Sequence, residues 1–308
     1  MKVSIIGGGG RVGSDAAFAL QIGALVREIA LVDTNEKMVA GEALDLRHGS
    51  SLMANQVVTS GGFDKVAGSD VVVVTAGLRR KPDESRMELI GRNVGTFSEI
   101  LDHLKSVSLP SHAVLMVVSN PVDILTNLAA RSGLLPRNQV IGLGTVLDTA
   151  RFRSLIAQHF GVGSYDVKAL ILGEHGDSMV PIWSSATING VPLKSISTFS
   201  EQTAQEVFDQ TKKSGAEVIR QRGGASRAVG VSIRQVVEAI LLDKRQALPI
   251  TSLHEGHEIA DGIAMSLPTV VGRQGVVEVL KPVLDDDERE GLYESSEVIR
   301  KVWDRIKS

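Results

Sequence analysis

The first half of the chain alternates short, wholly apolar runs with helical patterns. Val3–Ile6, Ile29–Val32, Val71–Thr75, Val114–Val118 and Val140–Gly142 are such runs, and Val57–Ser60 is a weaker one. Runs without polar alternation mark strands buried on both faces, as in a parallel sheet covered by helices. Between the first two, Arg11–Ile22 places Val12, Ala16, Ala19 and Leu20 at helical spacing. This β-α-β-α order predicts a doubly wound α/β sheet over residues 1–143. Near residue 145 the pattern changes. Thr145–Gly161 reads as a helix and Val167–Leu172 as a strand. Thr187–Leu193 reads as a hairpin, because Asn189-Gly190 favours a type I′ turn. Glu201–Arg222 and Val231–Asp243 read as helices, and residues 248–283 as short strands broken by Gly and Pro. Asp285–Ile306 is a last helix, with acids at its start, bases at its end, and Leu292, Ile299, Trp303 and Ile306 on one face. The predicted second unit, residues 144–308, is therefore α+β.

Composition narrows the chemistry. The 308 residues are 43% hydrophobic and 22% charged, which is ample for a packed core. A formal net charge of −3 gives no electrostatic reason to expect nucleic acid. With no Cys, disulfides, Cys-ligated zinc, iron–sulfur clusters and thiol nucleophiles are excluded, and no metal is implied. Met1-Lys2 runs straight into Val3–Ile6 without a secretory h-region, and no stretch of about 18 apolar residues is present. A cytoplasmic protein with no membrane partner is expected.

The first apolar run stops at four glycines. Gly8, Gly10 and Gly13 fit G-x-G-x-x-G, and Gly7, Gly10 and Gly13 fit a looser G-x-x-G-x-x-G. After a strand and before a helix, such a turn lets backbone N–H groups and a helix N-terminus approach a pyrophosphate. Asp33 ends the second strand, 20 residues after Gly13, where a carboxylate would accept from ribose hydroxyls. It would repel a 2′-phosphate, so NAD is expected rather than NADP. No Gly-Lys-Ser/Thr follows the glycines, which excludes a nucleotide-hydrolysing P-loop.

Polar clusters close the other apolar runs, at the strand ends where open α/β sheets bind ligands. They are Thr75-Ala76-Gly77 with the basic segment Leu78–Arg86, Ser119-Asn120-Pro121-Val122-Asp123, Asp148-Thr149-Ala150-Arg151, and Gly173-Glu174-His175-Gly176-Asp177. Taken singly, each has an ordinary structural reading: a solvated loop, an Asx-capped turn, a surface ion pair, a core histidine. Together they offer what hydride transfer to a carbonyl requires: a His proton donor, an Asp to orient it, and Arg side chains for carbonyl and carboxylate.

The motifs VVVTAG, ESR, RNV, SNPVD, LDTARFR and LGEHGDSMVP occur together and in order. With them the chain resembles the lactate/malate dehydrogenase superfamily over essentially its whole length, and most closely the lactate-dehydrogenase-like malate dehydrogenases. The resemblance implies an N-terminal Rossmann domain binding NAD (1–143) and a C-terminal α+β substrate domain (144–308). It implies His175 as proton donor and acceptor, Asp148 as its partner, and Arg86 as the loop cation that polarises the carbonyl. Arg80, Arg86, Asn120 and Arg151 would bind substrate, with the Asn120–Pro121 bond cis. Cofactor contacts would come from Gly7, Gly8, Gly10, Arg11, Val12, Gly13, Asp33, Thr75, Ala76, Gly77, Asn93, Val118 and Asn120. Arg80 falls at the family's discriminating position, where lactate dehydrogenases typically carry Gln and malate dehydrogenases Arg. It therefore implies malate and oxaloacetate as the small-molecule pair and a role in the tricarboxylic acid cycle, while the resemblance to the lactate-like branch implies a homotetramer rather than a dimer. Asp83 and Arg79 depart from the usual loop pattern, and the absence of the Thr that lactate dehydrogenases have near Ala225 favours malate. Glu84-Ser85 before Arg86 is lactate-like, so the alternative is lactate dehydrogenase or a broad 2-hydroxyacid dehydrogenase. A non-catalytic nucleotide-binding protein would have had no reason to keep His175, Asp148, Arg151 and Arg86 together.

Overall fold

The computed structural model describes residues 1–78 and 83–307. Six strands come from the first half: β1 (Lys2–Ile6), β2 (Glu28–Val32), β3 (Val57–Gly61), β4 (Val71–Val74), β5 (Val114–Val117) and β6 (Val140–Gly142). They pair in parallel in the order β6-β5-β4-β1-β2-β3. Helices α1 (Arg11–Gly23), α2 (Glu36–Ser50), α3 (Arg86–Lys105) and α4 (Val122–Arg131) connect them. The apolar runs have the packing that their lack of alternation implies. Val71 and Val73 of β4 enter one core with α1 and α2, while Val72 and Val74 enter a second with α3 and α4. A polar residue at any of the four would face a core.

The second half opens with α5 (Val146–Phe160) and the antiparallel sheet β7 (Val167–Leu172), β8 (Val180–Ile188) and β9 (Val191–Pro192). Strand β8 is longer than the Thr187–Ile188 hairpin arm expected, because Ser184-Ser185 breaks its apolar alternation. Helices α6 (Glu201–Arg222) and α7 (Arg227–Leu241) follow, then β10 (Gln246–Leu253), β11 (Ala264–Gly272), β12 (Gly275–Val279) and α8 (Asp286–Lys307). Strands β10 to β12 do not make a sheet of their own. β10 pairs antiparallel with β6 through Thr251 and Gly142, so that a nine-stranded sheet is formed among the described residues.

These strands also run through the prolines expected to break them. Pro249 and Pro268 stand directly opposite one another in the β10–β11 ladder. Their carbonyls turn outward, accepting from Thr145 N–H (3.2 Å) and Leu280 N–H (2.7 Å), so the missing Pro N–H groups cost the ladder no bond. The junction of β6 and β10 brings the ends of β4, β5 and β6 beside α5, the β7 end and the α6–α7 turn.

Candidate active site

The glycine turn is built by close backbone approach. Gly7 has φ +90°, and a Cβ on Gly13 would lie 2.2 Å from the Gly7 carbonyl oxygen. Gly10 caps α1 without any side-chain hydrogen bond, leaving the first-turn N–H groups available to an anion. By contrast, α3 is closed by a capping box between Ser85 and Glu88. Asp33 is held by two backbone donors, Gly9 N–H to Oδ2 (3.1 Å) and Asn35 N–H to Oδ1 (3.0 Å). Arg11 reaches across to α6, where its Nη1 donates to the Arg222 carbonyl at 3.0 Å. At the next strand end, Thr75 Oγ1 donates to the Ile6 and Gly7 carbonyls, and the Ala76 carbonyl accepts from Ser119 Oγ at 2.5 Å. Asn93 ties Leu78 N–H (2.7 Å) to the Asn120 carbonyl (3.0 Å). The Asn120–Pro121 bond is cis.

One cleft of about 1150 Å³ unites most of the predicted residues. Arg11, Val12, Thr75, Gly77, Asn93, Val118, Asn120, Arg151 and His175 all line it. Ala76, Asp148, Asp33 and the glycines Gly7, Gly8, Gly10 and Gly13 are not among the residues that line it. A sharp turn with uncapped N–H groups, an acid at the end of β2 and a cleft running on to His175 fit a dinucleotide. Arg80 lies outside the described residues, as does the side chain of Arg86. Helix α3, which Arg86 begins, is anchored by buried Glu84, whose two carboxylate oxygens accept from Arg92 Nε (2.5 Å) and Nη2 (2.8 Å).

His175 lies just past β7, and its Nδ1 is 2.6 Å from Asp148 Oδ2. Asp148 sits in the first turn of α5 and is 1% exposed. Its other oxygen accepts from Arg151 Nη1 at 3.0 Å, one helical turn on. The pair read from spacing as a possible surface contact is thus a buried one. Burial opposes the imidazolium, but the Asp148 charge and hydrogen bond, helped by Asp123, prevail and raise the His175 pKa to about 9. Burial likewise penalises the Asp148 carboxylate, yet His175 and Arg151 hold its pKa below the usual range. Because an ionised carboxylate only accepts, Nδ1 carries the hydrogen and Nε2 is left to face the cleft.

Two features escape the sequence reading. Asp123 does not cap a turn: it is buried, and it accepts from the His175 backbone N–H at 2.8 Å. An ionisable residue in the otherwise apolar stretch Val122–Leu125 was the available signal. Part of the remaining wall comes from α5 and from the α6–α7 region: Leu147, Gly215, Ile219, Ala225 and Val229. These positions are ordinary helix and turn residues in the sequence.

The lactate/malate dehydrogenase NAD binding domain profile matches residues 1–142, and the lactate/malate dehydrogenase alpha/beta C-terminal domain profile matches residues 145–308. An L-lactate dehydrogenase from Synechococcus sp. (strain JA-3-3Ab) is 40% identical, with all of both chains covered. L-lactate dehydrogenase 1 from Clostridium acetobutylicum is 38% identical, covering 99% of this chain and 98% of the relative. Among solved structures, the minor L-lactate dehydrogenase of Enterococcus mundtii superposes with a TM-score of 0.95 at 32% identity, over 99% of this chain and 98% of that one.

These relatives correct the expectation of a malate dehydrogenase in the tricarboxylic acid cycle. Eight full-length relatives at 35–40% identity are each named L-lactate dehydrogenase. The expectation rested on Arg80, one of three cations at positions 79–81. A long cationic side chain in a loop can keep its charge in water, so its presence alone does not specify a second carboxylate. Across its whole length, with the cofactor turn, the buried His–Asp pair and the cleft in place, the chain belongs to the lactate/malate dehydrogenase family and uses NAD(H) as its cofactor.

Proposed function

We propose that this protein is an L-lactate dehydrogenase, interconverting pyruvate and lactate. The observation that carries the reading is the Arg151–Asp148–His175 cluster opening into a cleft whose lining is mostly apolar. In this reading residues 1–143 hold the cofactor and 144–308 supply most of the substrate site. NAD(H), when bound, supplies the hydride acceptor or donor. The glycine turn and the α1 N-terminus would take its pyrophosphate and Asp33 its ribose, with Arg11, Val12, Thr75, Ala76, Gly77, Asn93 and Val118 alongside.

The chain's own residues divide the remaining work. Arg151 pairs with the substrate carboxylate in a bidentate manner. The substrate oxygen faces His175 Nε2, with Asn120 and Arg86 as its further polar neighbours. In reduction the imidazolium gives its Nε2 proton to the developing alkoxide, and in oxidation neutral His175 takes the hydroxyl proton. Asp148 keeps the hydrogen on Nδ1 and stabilises the imidazolium. The pyruvate methyl requires no partner, and Leu147, Ile219, Ala225 and Val229 offer it apolar surface.

The same reading has the enzyme working in the cytoplasm as a homo-oligomer, a tetramer rather than a dimer. Exposed apolar side chains on neighbouring helices, Phe18 and Ile22 on α1, Met38 and Leu44 on α2 and Val231 on α7, support self-association. Light scattering on the purified protein measures it. Steady-state NADH oxidation with a panel of 2-oxo acids tests the substrate. Pyruvate is expected to give the highest kcat/KM, and a higher value with any other member overturns the assignment.

A further inference from the structure

Behind His175 lies a chain of buried hydroxyls that the mechanism does not use. Asp123, at the second position of α4, accepts the His175 N–H on Oδ2 (2.8 Å) and the Thr251 hydroxyl on Oδ1 (2.6 Å). Thr251 Oγ1 is 2.9 Å from Ser266 Oγ, which accepts from Thr145 N–H at 3.1 Å. Ser266 also pairs through its backbone with Gly173, two residues before His175, by bonds of 3.0 and 3.1 Å. Thr251 and Ser266 have no exposure, and Asp123 has 3%.

Hydrogen counting gives this chain one direction. Each hydroxyl owns a single hydrogen. Asp123 accepts at both oxygens, so Thr251 must spend its hydrogen on Oδ1. Ser266 must then donate to Thr251, and its own oxygen is satisfied by Thr145 N–H. Every donor in the chain thus points toward Asp123 and, through it, to the backbone of His175. The space is reserved for these two hydroxyls: a Cβ on Gly144 would lie 2.4 Å from Ser266 Oγ and 2.7 Å from Thr251 Oγ1. Neither hydroxyl is idle: without Thr251 Oγ1 the buried Asp123 Oδ1 loses its donor and Ser266 loses its acceptor.

We propose that Thr251 is a positioning residue for the reaction: its hydroxyl, backed by Ser266, fixes Asp123 on the His175 N–H and so sets the line of the imidazole. Asp148 holds the ring at Nδ1, and Asp123 holds the backbone of the same residue. With only the first hold, the ring can tilt about the Nδ1 contact and carry Nε2 off the substrate oxygen. The hydroxyl also favours the ionised carboxylate. Burial pushes the Asp123 pKa up to about 6, with Glu174 adding to the rise, while Thr251, the His175 N–H and the His175 charge oppose it. Asp123 in turn supports the imidazolium together with Asp148, against burial and Arg151.

The inference rests on the proposed function, and the experiment separates the two. Thr251→Val keeps the shape and removes the hydroxyl, and Thr251→Ser restores it. Each is compared with the parent by thermal melting, NADH binding, binding of oxamate (a non-reducible pyruvate isostere) to the NADH complex, and kcat and KM for pyruvate across pH. For the valine variant, NADH binding should stay within about twofold, kcat should fall about 10–100-fold, and oxamate binding and activity should both decline at lower pH than in the parent. The serine variant should recover to within about threefold. Parental kcat and pH midpoint in Thr251→Val overturn the inference, as does a serine variant no better than the valine one. Should the valine variant not fold, Ser266→Ala removes the next donor and should lower the same pH midpoint, and an unmoved midpoint there overturns it equally. A parent inactive on pyruvate sinks the function itself.

Discussion

Replacing Asp148 with Asn should reverse the protonation of His175 at neutral pH. The rise of its pKa from 6.5 to about 9 corresponds to roughly 3 kcal/mol in favour of the imidazolium. Two unit charges about 4 Å apart attract by about 4 kcal/mol at an effective dielectric near 20. That attraction exceeds the whole rise, so without it burial and Arg151 carry the pKa below its ordinary value. At pH 7 the parent histidine is then about 99% protonated, and the variant's less than about a quarter. Protonation alone accounts for about a fourfold loss in pyruvate kcat/KM. The larger loss comes from hydrogen placement. An Asn amide can donate to Nδ1, which puts the hydrogen of neutral His175 on Nε2 and disables it as a base. The combined expectation is a fall of ~10²–10³-fold in both directions, with NADH binding unchanged. The assay is NADH absorbance with pyruvate and with lactate from pH 6 to 10. In the parent, pyruvate reduction should hold through neutrality and decline as pH rises through about 9, while lactate oxidation rises over the same window. If Asp148→Asn keeps that midpoint near 9, Asp148 is not what raises it, and the assignment of roles in this cluster is wrong.

Three further substitutions probe the rest of the cleft. Arg151→Gln should lower pyruvate kcat/KM by ~10²–10³-fold, chiefly through KM; an unchanged KM would place the carboxylate elsewhere. Gly13→Ala drives a Cβ to 2.2 Å from a backbone oxygen that has no room to retreat. Fluorescence titration should show NADH affinity reduced by at least ~10²-fold, and parental affinity would show that the turn is not the pyrophosphate site. Asp33→Ser removes the charge that meets a 2′-phosphate and should narrow the preference for NAD over NADP by about tenfold or more; an unmoved ratio of kcat/KM values would assign the discrimination to other residues.

The sheet was legible because its physics is local. Four consecutive valines at 71–74 have no polar face to offer, and only a strand covered on both sides accommodates them. The glycine turn was legible in part for the same reason: Gly13 meets a constraint set by Gly7 six residues earlier, although the space at Gly7 itself is closed by the distant Thr75 and Ala76. The β10–β11 ladder was not, because Pro249 and Pro268 read as breakers until their pairing shows that neither position needed an N–H. That is a property of register between distant segments. His175 and Asp148 are 27 residues apart, and no periodicity connects them. Their pairing came from resemblance, and its geometry depends on α5 and the β7 end meeting across the sheet edge.

Substrate choice shows how a local reading fails when the determinant is shared. Arg80 outweighed the lactate-like Glu84-Ser85 pair, whereas what a 2-oxo acid meets is the balance of cationic and apolar surface in the cleft. The apolar lining of the cleft includes Leu147, Ile219, Ala225 and Val229, on elements spread over more than 80 residues of sequence. A lone Arg in a sequence marks where a charge is available; whether a ligand must supply a second carboxylate depends on what that charge would otherwise face. Glu84 carried the better signal. Its carboxylate is buried and accepts from Arg92 of α3, which anchors the helix that Arg86 begins. In the proposed reading, where Arg86 polarises the substrate carbonyl, Glu84 therefore bears on how that residue is presented whichever substrate is bound. For that reason Glu84 is consistent with the lactate-named relatives without by itself selecting pyruvate. In the proposed reading the selection falls to the apolar lining from Leu147, Ile219, Ala225 and Val229, none of which carries a charge to pair with a second carboxylate, whereas a methyl group needs no partner.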